Sequence, residues 1–108
     1  MYLQGRATKQ NYSEAFTLLK KAADAGMKEA QFELGVMYAN GEGMKRDMAL
    51  AATYIELAAN QGSSAAQYAL GKIYIYYENP EKACVWFEKS AAQGYPKARA
   101  ALKKLKEI

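Results

Sequence analysis

Few side chains in this sequence could carry out nucleophilic or metal chemistry. The chain contains a single cysteine, Cys84, and no histidine. This composition excludes a disulfide within the chain, zinc sites of the Cys/His type, and catalytic pairs or triads that depend on histidine. We therefore expect no catalysis, no cofactor and no metal, and we interpret Cys84 as a buried, unreactive thiol.

Carboxylates are the second source of chemistry, and three of them fall close together at Glu78, Glu81 and Glu88. Their spacing alone would allow paired carboxylates for acid–base catalysis. The same spacing is typical of an exposed helix face, on which Glu78 and Lys82 would form an ordinary i,i+4 ion pair. We favour the exposed face, since no convergent pair is visible in the sequence.

The net charge of +4 is concentrated at the end of the chain. Up to Pro96, ten Lys and Arg residues balance ten Asp and Glu residues, whereas the last twelve residues carry five basic residues against Glu107. Weak binding of nucleic acid or of another anionic partner through this segment is an alternative function. An exposed C-terminal helix, whose cations interact favourably with the helix dipole, is the simpler interpretation.

No stretch of the sequence approaches the roughly 18 apolar residues of a membrane span. The first ten residues also lack the apolar core of a signal peptide. We expect no membrane insertion and a cytoplasmic location by default, with export open if Met1 is not the natural start.

The elements that must position these side chains repeat along the sequence. Residues 22–35 (AADAGMKEAQFELG) reappear as residues 58–71 (AANQGSSAAQYALG), and a degraded third copy surrounds Gly94. Gly26 and Gly62 are 36 residues apart, but Gly62 and Gly94 are only 32 apart, so the last unit is shorter. Paired helical segments with this period predict a helical solenoid that forms one domain.

The repeated glycines are of two structural kinds. Gly26, Gly62 and Gly94 follow alanine-rich runs, where a left-handed residue must end one helix before the next begins. Gly35 and Gly71 lie inside the following helix, where glycine costs about 1 kcal/mol relative to alanine. We expect a neighbouring helix to approach these two positions too closely for a Cβ atom.

Capping signals and apolar spacing predict six helices. Asn11, with Glu14 completing a capping box, is expected to start the first helix. The remaining helices are expected to start after the caps Asp47, Ser63 and Asn79, at about Lys28, and at Pro96. The predicted spans are residues 11–25, 28–40, 48–61, 64–77, 80–92 and 96–106. By the 36-residue shift, the first unit lacks most of its first helix, and Leu34 and Leu70 are buried at equivalent sites.

The recurring residues resemble a known repeat. In the second unit they are Ala30, Leu34, Gly35, Tyr38, Gly41, Gly43, Asp47, Ala51, Tyr54, Ala58, Ala59 and Gly62. The pattern resembles the Sel-one-like repeat (SLR) family, which is related to the tetratricopeptide repeat. The departures are the missing first helix, Ala7 in place of a loop glycine, and the shortened third loop.

The resemblance implies an all-α fold, a right-handed α-α superhelix of about three repeats. The implied units are residues 1–27, 28–63 and 64–95, followed by a C-terminal helix at 96–108. The resemblance also implies a protein–protein interaction scaffold or adaptor, of a kind common in bacteria, that binds a partner peptide on its concave face. A structural fragment of a larger solenoid is an alternative.

The first helix of each pair lines the concave face in tetratricopeptide-like solenoids. The partner-binding positions carried over by register are Glu29, Phe32, Val36, Asn40, Tyr68, Lys72, Tyr76 and Lys104, with Ala65, Lys97 and Ala100 beside them. Phe32 and Tyr68 are equivalent and either form a row of aromatic anchors or fill gaps between helices. Because its own partner helix is absent, we also expect the apolar face of the helix at 11–25 either to mediate self-association or to be covered by an upstream part of the protein.

Overall fold

The structure, a computed structural model, describes residues 9–41 and 45–106 as an array of six α-helices without strands in these ranges. The helices are α1 (Lys9–Asp24), α2 (Lys28–Asn40), α3 (Met48–Asn60), α4 (Ser64–Tyr76), α5 (Pro80–Ala92) and α6 (Pro96–Lys106). Each helix packs against the next one along the chain. We call α2, α4 and α6 the A helices, and α1, α3 and α5 the B helices. This all-α solenoid confirms the predicted fold class.

The predicted caps of three helices are confirmed. The side chains of Asp47, Ser63 and Asn79 each accept a hydrogen bond from the backbone N–H three residues later, at 3.0 to 3.2 Å. These bonds pair donors that the first turn of a helix leaves without a partner, so they stabilise the starts of α3, α4 and α5. Pro80 follows Asn79 as the first residue of α5.

The predicted start of α1 is wrong. The helix begins at Lys9, so Asn11 lies inside its first turn instead of capping it. Asparagine is compatible with both positions, and Lys9 and Gln10 are better helix formers, so the helix extends upstream of the apparent cap.

The junctions from each B helix to the next A helix share one geometry. Gly26, Gly62 and Gly94 have φ angles of 98°, 94° and 86°. At the first junction the N–H of Met27 returns to the carbonyl oxygen of Ala22 at 3.1 Å, and the other two junctions repeat this bond. This is the helix ending for which glycine is favoured, and it lets the next helix start immediately.

Close helix packing explains the second kind of glycine. A Cβ atom added at Gly71 would lie 2.5 Å from the ring of Phe87, and one at Gly35 would collide with the side chain of Ile55. The preceding residues on the same helices, Leu34 and Leu70, are completely buried. The predicted close approach and the predicted burial of both leucines are therefore confirmed.

The loops from A helices to B helices differ in length but close on the same atom. The N–H of Asp47 donates to the carbonyl oxygen of Tyr38 at 2.9 Å, and the N–H of Asn79 donates to that of Tyr74 at 2.8 Å. Tyr38 and Tyr74 are equivalent by the 36-residue shift. The shorter loop therefore removes four residues without changing how the B helix is attached.

The predicted ion pair between Glu78 and Lys82 is wrong. Because α4 ends at Tyr76 and α5 begins at Pro80, the two residues do not share a helix. Glu78 lies in the turn with a φ angle of 60°, and the Lys82 ammonium lies 5.5 Å from the ring centroid of Tyr74 instead.

Two pairs of glutamines, which were not predicted from the sequence, join neighbouring units. The side-chain amide of Gln61 donates to the side-chain oxygen of Gln31 at 2.8 Å, and Gln93 donates to Gln67 at 2.9 Å. Gln61 and Gln93 also donate to the carbonyl oxygens of junction glycines. Because Gln31 and Gln67 are buried, these bonds satisfy polar groups that would otherwise lack partners.

Candidate protein-binding surface

Two surface depressions connect the three A helices and contain five of the residues predicted to bind a partner. Val36, Asn40 and Lys72 line the depression between α2 and α4. Tyr68 and Lys104 line the depression between α4 and α6. Five of the side chains named from the sequence register therefore line depressions beside the A helices.

The first depression has a volume of about 380 Å³ and a largely apolar floor. That floor comes from Ala39, Met48, Ile55, Ala69 and Ile73. Arg46 and Lys72 supply its positive charge. The depression thus combines an apolar base with two cations at its margin.

The second depression, of about 670 Å³, is more basic. Lys97, Lys103 and Lys104 line it together with Tyr68 and two alanines of α6. These lysines belong to the basic C-terminal segment, so the positive charge of the chain borders an aromatic side chain.

Tyr68 is half-buried and is held by other rings. Its ring centroid lies 5.6 Å from that of Phe87 and 5.4 Å from that of Tyr95, both within the range of favourable aromatic contacts. The Lys72 ammonium lies 5.3 Å from the same ring, close enough for a cation–π interaction. Tyr68 therefore contributes both to packing and to the exposed surface.

Three predicted binding residues lie outside both depressions. Phe32 is half-buried and packs against the buried cluster around Ile55 and Leu70. This corresponds to the alternative in which Phe32 fills a gap between helices. Glu29 is exposed in the first turn of α2, and Tyr76 is 55% exposed at the end of α4. The structure consequently does not bring Phe32 and Tyr68 into one depression.

Arg46 and Lys103 line the depressions but were not singled out in the sequence. Arg46 precedes the cap of α3, and its guanidinium carbon lies 5.7 Å from the ring centroid of Tyr76. No helical register applies to a loop residue, so only its position next to Asp47 could have indicated this placement. Lys103 occupies the position of Gly71 by the 32-residue shift, which gave no reason to expect a binding role.

An aromatic cluster beside α1 is structural in character. The rings of Tyr38 and Tyr54 stack at 6.0 Å, and the Lys20 ammonium donates to the Tyr54 hydroxyl at 3.3 Å. Burial raises the pKa of Tyr38, and the hydrogen bond to Tyr54 raises the pKa of Lys20. At neutral pH Tyr38 is therefore uncharged and Lys20 is charged.

In the described ranges, none of the helices is both long and apolar enough to cross a membrane. The same residues contain no group of three or more Cys, Asp or Glu side chains that could hold a metal ion. Cys84, predicted to be buried, is half-buried.

Comparisons with known proteins point to one family. The Sel1 repeat matches residues 1–27, 28–63 and 64–95. A Sel1 repeat protein from Oxalobacter formigenes has a similar structure, with a TM-score of 0.78 and 40% identity over 95% of this chain and 80% of its own. A protective antigen of uropathogenic Escherichia coli strains that displays an SLR fold has a TM-score of 0.79 and 32% identity over 83% of this chain. This chain spans only 20% of that antigen. The comparison with curated proteins found no match.

Proposed function

Because the chain belongs to the Sel1 repeat family, whose general role is protein–protein interaction, we propose that it is a non-catalytic scaffold that binds a partner peptide along its A helices. The peptide occupies the two depressions that connect α2 to α4 and α4 to α6. Helix α4 contributes to both, so a bound peptide crosses this helix.

The observation that carries the proposal is the combination of an aromatic ring and lysines around the second depression. Tyr68 offers a ring that α5 and the α5–α6 junction already hold in place, so little conformational freedom is lost on binding. Lys72, Lys97 and Lys104 surround it with positive charge. Rigid aromatic anchors are typical of interface hot spots, and surrounding charges select complementary partners.

The chemistry of the lining defines the class of peptide. Apolar side chains fit the floor of the first depression, and aspartate or glutamate side chains complement Arg46, Lys72 and the lysines of α6. The ligand is therefore a peptide with apolar and acidic residues.

Selection from a random peptide library displayed on phage tests this proposal. The selected peptides are expected to be enriched in acidic and apolar residues. A fluorescently labelled selected peptide should bind Lys72→Glu about tenfold or more weakly than the unmodified chain, because one attraction becomes a repulsion at the centre of the surface. Lys21→Glu is the matched control, since Lys21 is exposed on α1 and lies in neither depression.

Both variants should melt close to the unmodified chain, because both lysines are exposed. Equal weakening by Lys72→Glu and Lys21→Glu would show that only net charge matters. Selection of peptides without acidic residues would contradict the assigned chemistry. Tighter binding of a single-stranded oligonucleotide than of any selected peptide would instead favour the nucleic-acid alternative.

Tyr68→Ala is a poorer test, because the ring of Tyr68 also packs against Phe87 and Tyr95. Its removal is expected to lower both stability and binding. Tyr76→Ala is more informative for the edge of the surface, because Tyr76 is 55% exposed. We expect weaker peptide binding with little change in melting temperature if the peptide extends past the end of α4.

A further inference from the structure

A third groove lies between α5 and the C-terminal half of α6. Its lining is Pro80, Glu81, Cys84, Val85, Glu88 and Leu105, none of which lines the two depressions of the A helices. We call this surface the α5–α6 groove. The function proposed above leaves it unused.

The lining residues of α5 form a continuous stripe along the helix. Glu81, Cys84, Val85 and Glu88 have the spacing i, i+3, i+4 and i+7, which places them on one face. Val85 at the centre of the stripe is 48% exposed. The buried residues of α5 occupy another face of the helix, so this stripe is not part of the core.

Glu81 and Glu88 are exposed, and the Cys84 thiol donates a weak hydrogen bond to the Glu88 carboxylate at 3.9 Å. No ion pair involves either carboxylate among the described residues. The two lysines of α5 are directed to aromatic rings instead: Lys82 lies 5.5 Å from the ring centroid of Tyr74, and Lys89 lies 4.7 Å from that of Trp86. The groove therefore has an apolar centre between two carboxylates, and the lining residues that the structure describes include no lysine or arginine.

The same stripe on α3 has a different character. By the 32-residue shift, Glu81 corresponds to Ala49 and Val85 corresponds to Thr53. Only Glu88 has an equivalent carboxylate there, Glu56, which is exposed. The acidic and apolar pattern is thus particular to α5 and is not a requirement of the repeat.

We propose that the α5–α6 groove is a second docking surface, for a basic amphipathic helix of a partner protein. Charge complementarity selects this occupant, because the apolar centre at Val85 and Leu105 is flanked by Glu81 and Glu88. The two carboxylates are seven residues apart, or about 10 Å along α5. A partner helix with lysines two turns apart on either side of leucines matches this arrangement. The scaffold then holds an acidic peptide on its A helices and a basic helix on α5 at the same time.

A designed helical peptide tests this surface directly. The probe is a fluorescently labelled 15-residue peptide with leucines along one face and lysines beside them, and its control is a scrambled peptide of the same composition. We expect the helical peptide to bind the full chain at low ionic strength and the scrambled peptide to bind at least about tenfold more weakly, since only the helix joins its leucines into one face.

Matched charge variants locate the binding site. Glu88→Lys should weaken binding of the helical peptide about tenfold, and the double variant Glu81→Lys, Glu88→Lys should weaken it further. Glu56→Lys, the equivalent change on α3, should alter binding less than twofold. Lys72→Glu changes the A-helix surface, so it should not weaken binding of the helical peptide.

Val85→Ser tests the apolar centre without changing charge, and weaker binding by about threefold or more is expected. Amide chemical shifts on adding the peptide provide a second measurement that does not depend on any variant, and they should change mainly in α5 and the end of α6. Equal effects of Glu88→Lys and Glu56→Lys, or shift changes centred on α2 and α4, would overturn the proposal.

Discussion

Leu70 offers the sharpest test of how the repeats are held together. Its side chain is 0% exposed, in the core cluster of α3 and α4. Leu70→Ala removes three carbon groups, which corresponds to about 2.4 kcal/mol of lost transfer free energy at roughly 0.8 kcal/mol each. The cavity that remains raises the expected loss to about 3–5 kcal/mol, since neighbouring helices relax only partly.

Such a loss is a large fraction of the stability of a domain of this size, about 5–15 kcal/mol. Thermal unfolding followed by circular dichroism should show a melting temperature lower by at least about 10 °C. Leu34→Ala, at the equivalent buried position, should have a similar effect. Urea unfolding of the same variants gives the free energy and shows whether the chain still unfolds in one step.

Leu57→Ala on α3 is the matched control, because it deletes the same atoms from a side chain that is 45% exposed. Its effect should stay within about 0.5–1 kcal/mol. If Leu70→Ala melted within about 2 °C of the unmodified chain, the assigned helix register and the core described above would both be wrong.

Four further predictions concern other parts of the chain. Glu78→Gly should stabilise the protein by about 0.5–1 kcal/mol in urea unfolding, because glycine adopts the φ angle of 60° without strain. Gln67→Leu should destabilise by about 1–3 kcal/mol in the same assay, because it breaks the hydrogen bonds to the Ala59 carbonyl and from Gln93. Stability should be fully present below about pH 10 and fall as the pH rises through the raised pKa of Tyr38, and Tyr38→Phe should flatten this fall. Leu18 is 68% exposed, so Leu18→Glu should abolish concentration-dependent association in light scattering.

Each of these predictions has a distinct contrary result. A destabilised Glu78→Gly variant would mean that the turn depends on the glutamate side chain. An unchanged Gln67→Leu variant would show that the glutamine pairs add nothing to stability. Identical alkaline slopes with and without the Tyr38 hydroxyl would mean that folding does not raise the pKa of Tyr38. A strict monomer at high concentration would contradict self-association through α1.

Capping residues in the sequence predicted the helix starts correctly where the residue and its surroundings fit only one position in the structure. The caps at Asp47, Ser63 and Asn79 combine a side-chain acceptor with the end of a loop, and all three were confirmed. Asn11 failed as a cap because asparagine also fits inside a first turn. The predicted pair of Glu78 and Lys82 failed because it rested on spacing alone, although the cap at Asn79 already indicated a helix end between the two residues.

Repetition revealed more than local patterns did. Gly35 and Gly71 recur at one register position despite a local cost, and that recurrence predicted close helix packing. The same comparison could have found the glutamine pairs, since Gln31 and Gln67 are also 36 residues apart. Arg46 could not be placed in this way, because loop residues have no helical register and its contact with Tyr76 depends on the tertiary fold.

The two loops from A helices to B helices close on the equivalent carbonyl oxygen, so the length of a loop does not determine how its helices pack. A loop of seven residues and one of three both end with a backbone hydrogen bond to the equivalent tyrosine carbonyl, at Tyr38 or Tyr74. Lengthening a flexible loop is inexpensive in free energy, about 0.6 kcal/mol for each doubling. This edge of the array can therefore receive foreign segments, such as an epitope or a reporter peptide after Gly41, while the spacing of the helices stays the same. The packing of the helices is therefore fixed, whereas the length of the loops along this edge can vary.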